Sequence, residues 1–69
     1  RRSIYTLKKI KKDEKFTKEN IKILRPFYGV PSFYYDKLLG KKSPINLSPS
    51  QPIKFNILKR LKIKKLING

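Results

Sequence analysis

The sequence predicts one small, mostly β domain of short strands, with one or two short helices and approximate internal two-fold symmetry. Its 69 residues are the size of a single domain near the lower limit for folding around its own core. Three prolines interrupt the apolar residues of 43–55, which suits short edge strands and turns and excludes a long helix there. A segment near the start also resembles one near the end, as described below.

The charge and the apolar content pull in opposite directions. A net charge of +15 with 38% hydrophobic residues leans towards disorder. However, four Phe and four Tyr recur along the chain, and five Pro and three Gly separate the apolar segments, which favours a folded domain of marginal stability.

Lysine interrupts every apolar run, so no membrane span is expected. The absence of cysteine suits a reducing compartment, and we expect the cytoplasm. A chain that starts at Arg1 and has no Met is expected to be a piece of a longer protein.

The first predicted elements are a short strand and a tight turn. Ile4, Tyr5 and Thr6 are strand-forming residues and no convincing helix cap precedes them. In the following "KKDE", Asp13 tolerates a left-handed backbone better than most residues. A turn is therefore predicted at Asp13.

A brief helix and a second extended segment follow. The hydroxyl of Thr17 is a suitable helix cap, and Glu19 falls in the first turn, where the helix dipole favours negative charge. The chain becomes extended again at "IKILRP", because the ring of Pro26 disfavours helical geometry for the residue before it. Arg25 is thus predicted to be held in a stiff, extended conformation.

The second half contains one predicted helix and an ambiguous tail. "PSFYYDKLLG" predicts a two-turn helix capped by Ser32 and ended by Gly40 in a left-handed conformation. In 57–67, "ILKRLKIKKLI" is either a basic amphipathic helix or a final strand with a frayed end. Its apolar residues fit neither period well, and we favour the strand. The predicted domain is 1–58, with 59–69 as a basic C-terminal extension.

An internal repeat supports the predicted symmetry. Residues 10–21 align with residues 47–57 when one residue is gapped. Both copies pass from an aliphatic residue to a turn residue, Asp13 or Ser50, then to a residue of buried type and to an Asn-Ile pair that begins with Asn20 in the first copy. Two copies of strand, turn and helical turn are typical of a compact β fold with two related halves.

The basic residues allow two interpretations. Lysine clustered on one face with interleaved aromatics would bind nucleic acid through phosphates and stacked bases. Here lysine is spread over almost every segment, which favours a solvated surface. A free-standing nucleic-acid-binding module therefore remains the alternative, not the preferred function.

Catalysis within this chain is not supported. The chain has no His and no Cys, and its only acidic residues are Asp13, Glu14, Glu19 and Asp36. Carboxylates in a lysine-rich turn are typical of solvated groups and not of a tuned general acid. Neither a metal site nor a cofactor site is predicted in this domain.

Arg25 is the strongest candidate for contact with a ligand. Most arginines lie at the surface with no such role, but here Pro26 stiffens the backbone and "FYGV" follows. Phe27 and Tyr28 are predicted to wall the site, and Gly29 lets the backbone turn sharply beside them. The sequence alone leaves open whether Arg25 binds a ligand or is surface charge.

The ordered motifs of the chain resemble a known domain family. "RRSIYTLKKIKKDEKFTKENIKILRP", followed by "GV", "LLGKK" and "NLSPSQPI", resembles the C-terminal antifreeze-like (SAF) domain of the sialic acid synthase family over residues 1–58. Members of that family condense phosphoenolpyruvate with an N-acetylated amino sugar, and the resemblance implies a bacterial parent enzyme of this type. The resemblance implies a β-clip fold that is not catalytic alone.

The resemblance also implies a partner and a role for Arg25. The expected partner is the TIM barrel of the same protein, in trans within a domain-swapped homodimer, with its divalent metal in the barrel. The Arg-Pro arginine of the family contacts the N-acetyl group of the sugar, and the matching residue is Arg25. A SAF domain serving another carbohydrate-related protein is a further alternative.

Three positions depart from the family pattern. Asp13 and Ser50 stand at turns where the family has Gly or its counterpart, and Phe27 replaces the Gly usual after Arg-Pro. Phe27 is expected to reshape the wall beside Arg25, so the preferred sugar stays open, whether for sialic, legionaminic or pseudaminic acid. The related type III antifreeze fold binds ice through a flat, uncharged surface, which a chain with +15 charge and no alanine does not offer.

Overall fold

The computed structural model describes residues 2–63 and shows a small, mostly β fold with short helices. This range contains two strands and two α-helices: β1 (Ser3–Thr6), β2 (Ile21–Leu24), α1 (Tyr35–Leu38) and α2 (Phe55–Arg60). A 3₁₀ turn at Ser32–Tyr34 leads directly into α1. The predicted fold class is confirmed.

The two strands form an antiparallel pair on which the rest of the fold is assembled. Ser3 pairs with Leu24 at one end and Thr6 with Ile21 at the other. All four residues of β1 are buried, which explains why a strand of only four residues is stable here. Single bridges extend the pairing, and they join Ser3 to Pro31, Tyr5 to Pro52, Ile10 to Leu47 and Lys15 to Lys42.

A closed ring of three backbone hydrogen bonds joins distant segments. Ile4 N donates to Val30 O at 3.1 Å, Val30 N to Ile53 O at 2.7 Å, and Ile53 N to Ile4 O at 2.9 Å. All three side chains are fully buried. The ring therefore ties β1, the segment after β2 and the segment before α2 to one point in the core.

The predicted two-fold symmetry is present in the hydrogen bonds. Ile10 and Leu47 exchange both backbone bonds, at 3.0 and 2.7 Å, so the approximate axis passes between them. The shift that carries Ile10 onto Leu47 also carries the bond from Asp13 N to Ser43 O onto the bond from Ser50 N to Thr6 O. The same shift relates three further pairs of bonds. The bond from Phe16 to Lys41 corresponds to that from Ile53 to Ile4, and the bond from Ser43 to Glu14 corresponds to that from Thr6 to Gln51. The bond from the Lys11 amide to the Glu14 side chain corresponds to that from the Ser48 amide to the Gln51 side chain.

The turn residues of the two halves share one backbone geometry. Asp13 has a φ of 73° and Ser50 a φ of 57°, which is the left-handed region that the turns require. Gly40 has a φ of 86° where α1 ends. The structure therefore places two non-glycine residues at positions where glycine is the least strained choice.

The core is apolar, and each buried polar side chain named here has a partner. Among residues 2–63, eleven form it: Ile4, Ile10, Phe16, Ile21, Val30, Tyr34, Leu38, Leu47, Ile53, Ile57 and Leu58. The Thr6 hydroxyl donates to Ser48 O at 2.7 Å, and the Ser43 hydroxyl donates to Ile45 O at 2.6 Å. These bonds remove the penalty of burying hydroxyl groups in a small core.

One predicted cap is present and one is not. The Thr17 hydroxyl accepts the amide of Glu19 at 3.2 Å, but the segment that it caps is a single turn and not a helix, and the Asn20 side chain bonds Thr17 N at 2.8 Å and Lys15 O at 2.9 Å. β2 then begins at Ile21. Ser32 does not cap the second helix, since Pro31 occupies the N-cap position and no side-chain cap is formed there.

The prediction of a final strand in the tail is wrong. Residues 55–60 form α2, which runs across the domain boundary predicted after residue 58. Ile57, Leu58 and Leu61 have helical spacing and face the core, whereas Ile63 lies beyond the helix end. The apolar spacing fitted no single period because the segment contains both a helix and the turn that ends it. Leu66 and Ile67 lie outside the described residues.

α2 ends in a Schellman motif with lysine in place of the usual glycine. Ile63 N donates to Leu58 O and Lys62 N to Lys59 O, and Lys62 has a φ of 59°. This arrangement satisfies the last carbonyls of the helix. It also returns Ile63 to the core.

Replacing Lys62 with Gly is expected to raise the free energy of unfolding by about 0.5–1 kcal/mol, because glycine adopts a positive φ without a Cβ clash. Urea unfolding followed by circular dichroism measures the change. Lys59→Gly is the matched control, since Lys59 lies within α2 and the same exchange there is expected to lower stability by about 0.5–1 kcal/mol. Two changes of the same sign would show that the assigned helix end is wrong.

Candidate functional site

Arg25 is the first residue after β2, and its side chain extends into solvent. It is exposed and precedes a cis peptide bond to Pro26. Within residues 2–63 the guanidinium has no hydrogen bond or ion pair. All of its donors are therefore available to a ligand.

The loop that follows, residues 25–29, is fixed by hydrogen bonds to its backbone. The carbonyl of Pro26 accepts the Tyr5 hydroxyl at 2.8 Å and the Ser3 hydroxyl at 3.3 Å. Tyr28 N donates to Ser3 Oγ at 3.3 Å, and Lys54 Nζ donates to Tyr28 O at 3.0 Å. We call this segment the Arg25 loop. Its anchors come from β1 and from the residue before α2, so the whole fold supports it.

Gly29 lies where the loop approaches the backbone of another segment. A Cβ atom at this position would stand 2.3 Å from Ile53 O and 3.1 Å from the side chain of Pro52. The same Ile53 carbonyl accepts the amide of Val30. Only glycine fits here, because a Cβ atom would have no space; the backbone dihedral angles of Gly29 do not themselves require glycine.

Aromatic side chains border the Arg25 loop. Phe27 is 38% exposed, Phe33 50% and Tyr28 67%. A shallow cavity of about 180 Å³ is lined by Arg2, Phe27, Pro31, Ser32 and Phe33. We call this cavity the aromatic cleft. In this cleft the exposed rings of Phe27 and Phe33 lie beside the buried ring of Pro31.

Phe33 is a site residue that the sequence analysis missed. The pairing of Tyr34 with Leu38 on one helix face directs the preceding residue outwards, and that spacing was the available signal. Phe33 packs against Tyr34 with ring centroids 4.9 Å apart. Tyr34 is fully buried, so Phe33 has a firm support.

The other residues singled out from the sequence lie elsewhere. Asp13 and Gly40 belong to the paired segments 13–16 and 40–43, and Ser50 bonds Thr6, at the end of β1 away from Arg25. Thr17 and Asn20 hold the turn before β2. These positions shape the scaffold, whereas Pro26, Phe27, Tyr28 and Gly29 form the loop with Arg25.

No metal centre or membrane segment is found in the part of the chain that the structure describes. Residues 2–63 contain no group of three or more potential metal-ligating side chains. Across that range no helix has the length and apolarity to span a bilayer. The Glu14 carboxylate instead accepts the amide of Lys11 at 2.9 Å.

The comparison with known families decides the identity of the fold. The model of the SAF domain family matches residues 1–59. This chain belongs to the SAF domain family. Its short bridges, related halves and small two-stranded sheet are the features of a β-clip SAF domain.

The SAF domain is similar to the C-terminal part of three bacterial enzymes. It is 46% identical over 54 residues to pseudaminic acid synthase of Campylobacter jejuni serotype O:2, covering 78% of this chain and 14% of that protein. It is 50% identical over 42 residues to the enzyme of serotype O:23/36, covering 61% of this chain and 12% of the relative. The Helicobacter pylori pseudaminic acid synthase is 36% identical over 59 residues, covering 86% of this chain and 17% of that enzyme.

The coverage limits what the similarity transfers. The SAF domain spans less than a fifth of the length of each relative. The homology supports a synthase parent.

Gly29→Ala is expected to lower the free energy of unfolding by about 2–3 kcal/mol, because the added methyl group has no space beside the Ile53 carbonyl. Gly40→Ala is the matched control: its Cβ meets no atom within 4 Å, so only left-handed strain of about 1 kcal/mol applies. Urea midpoints and the amide shifts of Val30 and Ile53 report the difference. Equal losses for the two variants would contradict the close approach at Gly29.

Tyr5→Phe is expected to lower the free energy of unfolding by about 1 kcal/mol, the net contribution of one hydrogen bond. It should also shift the NMR signals of Pro26 and Phe27, since the lost bond is to the Pro26 carbonyl. Tyr28→Phe removes the same hydroxyl from a side chain that is 67% exposed and is expected to change stability by less than about 0.5 kcal/mol. An unaltered loop in Tyr5→Phe would remove Tyr5 from the list of loop anchors.

Proposed function

We propose that this SAF domain is the C-terminal, non-catalytic domain of a bacterial pseudaminic acid synthase-type enzyme. Such an enzyme condenses phosphoenolpyruvate with an N-acetylated amino sugar. The similarity to three pseudaminic acid synthases supports the product class, and the absence of His and Cys leaves the bond-forming chemistry to the rest of the parent. The lack of cysteine also suits an enzyme of the reducing cytoplasm.

The observation that carries the proposal is the Arg25 loop. Its backbone is bonded by Ser3, Tyr5 and Lys54, yet the guanidinium at its start has no partner within residues 2–63. A surface arginine that served only solubility would need no such support. A fixed loop with a free guanidinium is the arrangement expected for a ligand contact.

Arg25 holds the acetamido oxygen of the sugar in this proposal. A guanidinium offers donors in a rigid planar fork and stays charged at all physiological pH values. A charge-assisted hydrogen bond to an amide oxygen contributes roughly 1.5–3 kcal/mol. Arg25 thereby positions the sugar and leaves proton transfer and carbon–carbon bond formation to other groups.

The proposed partner of the domain is the TIM barrel of the second protomer in a homodimer. A domain that supplies one ligand contact and no acid or base must lie against a site that another domain completes. The divalent metal that such a synthase uses belongs, in this proposal, to the barrel. The aromatic side chains beside Arg25 provide apolar surface for that contact.

Arg25→Ala in the full-length parent is expected to lower kcat/KM for the sugar by at least about tenfold, equivalent to roughly 1.4 kcal/mol. Arg25→Lys should recover only part of this loss, because a single ammonium cannot reproduce the fork. The measurement is phosphoenolpyruvate-dependent condensation at varied sugar concentration.

Lys22→Ala is the control for the Arg25 variants. Lys22 is an exposed residue of β2, and its replacement removes one positive charge from the strand that precedes Arg25. A loss as large as that of Arg25→Ala would assign the effect to net charge. An active parent that is unaffected by Arg25→Ala would leave Arg25 as a surface residue, and a parent that condenses no N-acetylated sugar would refute the synthase function.

A further inference from the structure

We propose that the aromatic cleft binds the alkyl end of the N-acyl group whose oxygen Arg25 holds. Phe27 and Phe33 are then specificity-determining residues for the acyl chain of the sugar. This inference rests on the proposed function and deepens it, since it assigns both ends of one substituent to the SAF domain. It also gives a role to Phe27, the residue that departs from the small residue of the family pattern.

Arg25 itself does not line the cleft, but two observations bring its backbone close to the cleft. Only Pro26 separates Arg25 from Phe27, so their α-carbons are within about 7 Å of each other. In addition, Ser3 pairs with Leu24 at the end of the sheet, and the residues just beyond this pair on the two strands are Arg2 and Arg25. Since Arg2 also lines the cleft, both strands lead from the sheet to the same place.

The chemistry of an acyl group matches this arrangement. The oxygen and the alkyl carbon of an acetamido group are attached to the same carbonyl carbon, so a protein that holds the oxygen also fixes where the methyl group lies. The oxygen requires a donor and the methyl group requires an apolar wall. Arg25 supplies the donor, and the rings of Phe27, Pro31 and Phe33 supply the wall.

The size of the cleft favours a small substituent. Its volume of about 180 Å³ is several times the roughly 30 Å³ that one water molecule occupies in the liquid. A methyl group fits with space remaining, and one further methylene also fits.

The side chains of Phe27 and Phe33 are held firmly enough to distinguish acyl groups of different length. Phe27 belongs to the loop that Tyr5 and Ser3 hold at the Pro26 carbonyl, and Phe33 packs on the buried ring of Tyr34. Both side chains nevertheless remain 38% and 50% exposed. Covering this apolar surface with an alkyl group removes it from water, which favours longer acyl chains up to the limit of the cavity.

The test is an acyl-chain series on the acceptor sugar, assayed with the full-length parent. The N-acetyl group is replaced by N-formyl and by N-propanoyl, and each acetamido group is varied in turn where the sugar carries more than one. All three acyl groups keep the carbonyl oxygen, so they differ only in the alkyl end. The wild-type enzyme is expected to prefer N-acetyl over N-formyl by about tenfold in kcat/KM, the lower end of the range for one carbon in an apolar pocket.

Variants separate the cleft from the arginine. Phe27→Ala and Phe33→Ala, on two different elements, are each expected to reduce the acetyl-to-formyl preference to less than about threefold. Arg25→Ala is expected to lower kcat/KM for all three acyl groups by a similar factor, because the oxygen is common to them. Leu7→Ala is the control, since Leu7 is 42% exposed, is apolar and does not line the cleft, and its preference should equal that of the wild type.

Each outcome has one meaning. Unchanged acyl preference in both phenylalanine variants, together with a loss of activity in Arg25→Ala, overturns the cleft assignment and leaves the proposed function in place. A loss in the phenylalanine variants that is equal for formyl and acetyl also overturns it, since the rings would then act only on the fold or on docking. No loss in Arg25→Ala removes the proposed function itself, and the cleft assignment with it.

Discussion

The closed ring of hydrogen bonds among Ile4, Val30 and Ile53 is the constraint on which the domain depends. Each of the three residues donates once and accepts once within the ring, so displacing any one segment breaks two bonds inside an apolar core, where unpaired backbone groups are costly. Regular strands are too short here to provide this order, since each has only four residues. The ring replaces a larger sheet as the element that fixes the topology.

The Arg25 loop inherits its rigidity from this ring. β2 holds the loop at its start, through the pairing of Leu24 with Ser3, and the ring holds it at its end, through Val30. Between these points the Tyr5 hydroxyl fixes the Pro26 carbonyl. Gly29 also packs against the Ile53 carbonyl, which is part of the ring. A displacement of that carbonyl would therefore disturb both the ring and the Arg25 loop.

The sequence predicted features that depend on local chemistry and missed those that depend on the tertiary fold. The turn residues were recognisable because few residues tolerate a positive φ, and Asp13 and Gly40 have one. α2 was missed because its apolar spacing was read together with Ile63, which returns to the core only through the Schellman turn at Lys62. Phe33 was missed as a site residue because Phe27 and Phe33, six residues apart in the sequence, line one cavity only through the path that the chain takes between them.

A rigid small domain suits the role proposed for it because positioning is all that it contributes. Misplacing a bound substrate by about 1 Å can reduce a rate by about a hundredfold, so a flexible loop carrying Arg25 would give little. Long lysine side chains cover the outside, and like charges even face each other at the bridge of Lys15 with Lys42, which opposes folding. The stability that offsets this repulsion comes from the apolar core and its hydrogen-bonded ring. The same ring and the pairing of Leu24 with Ser3 hold the two ends of the loop that carries Arg25.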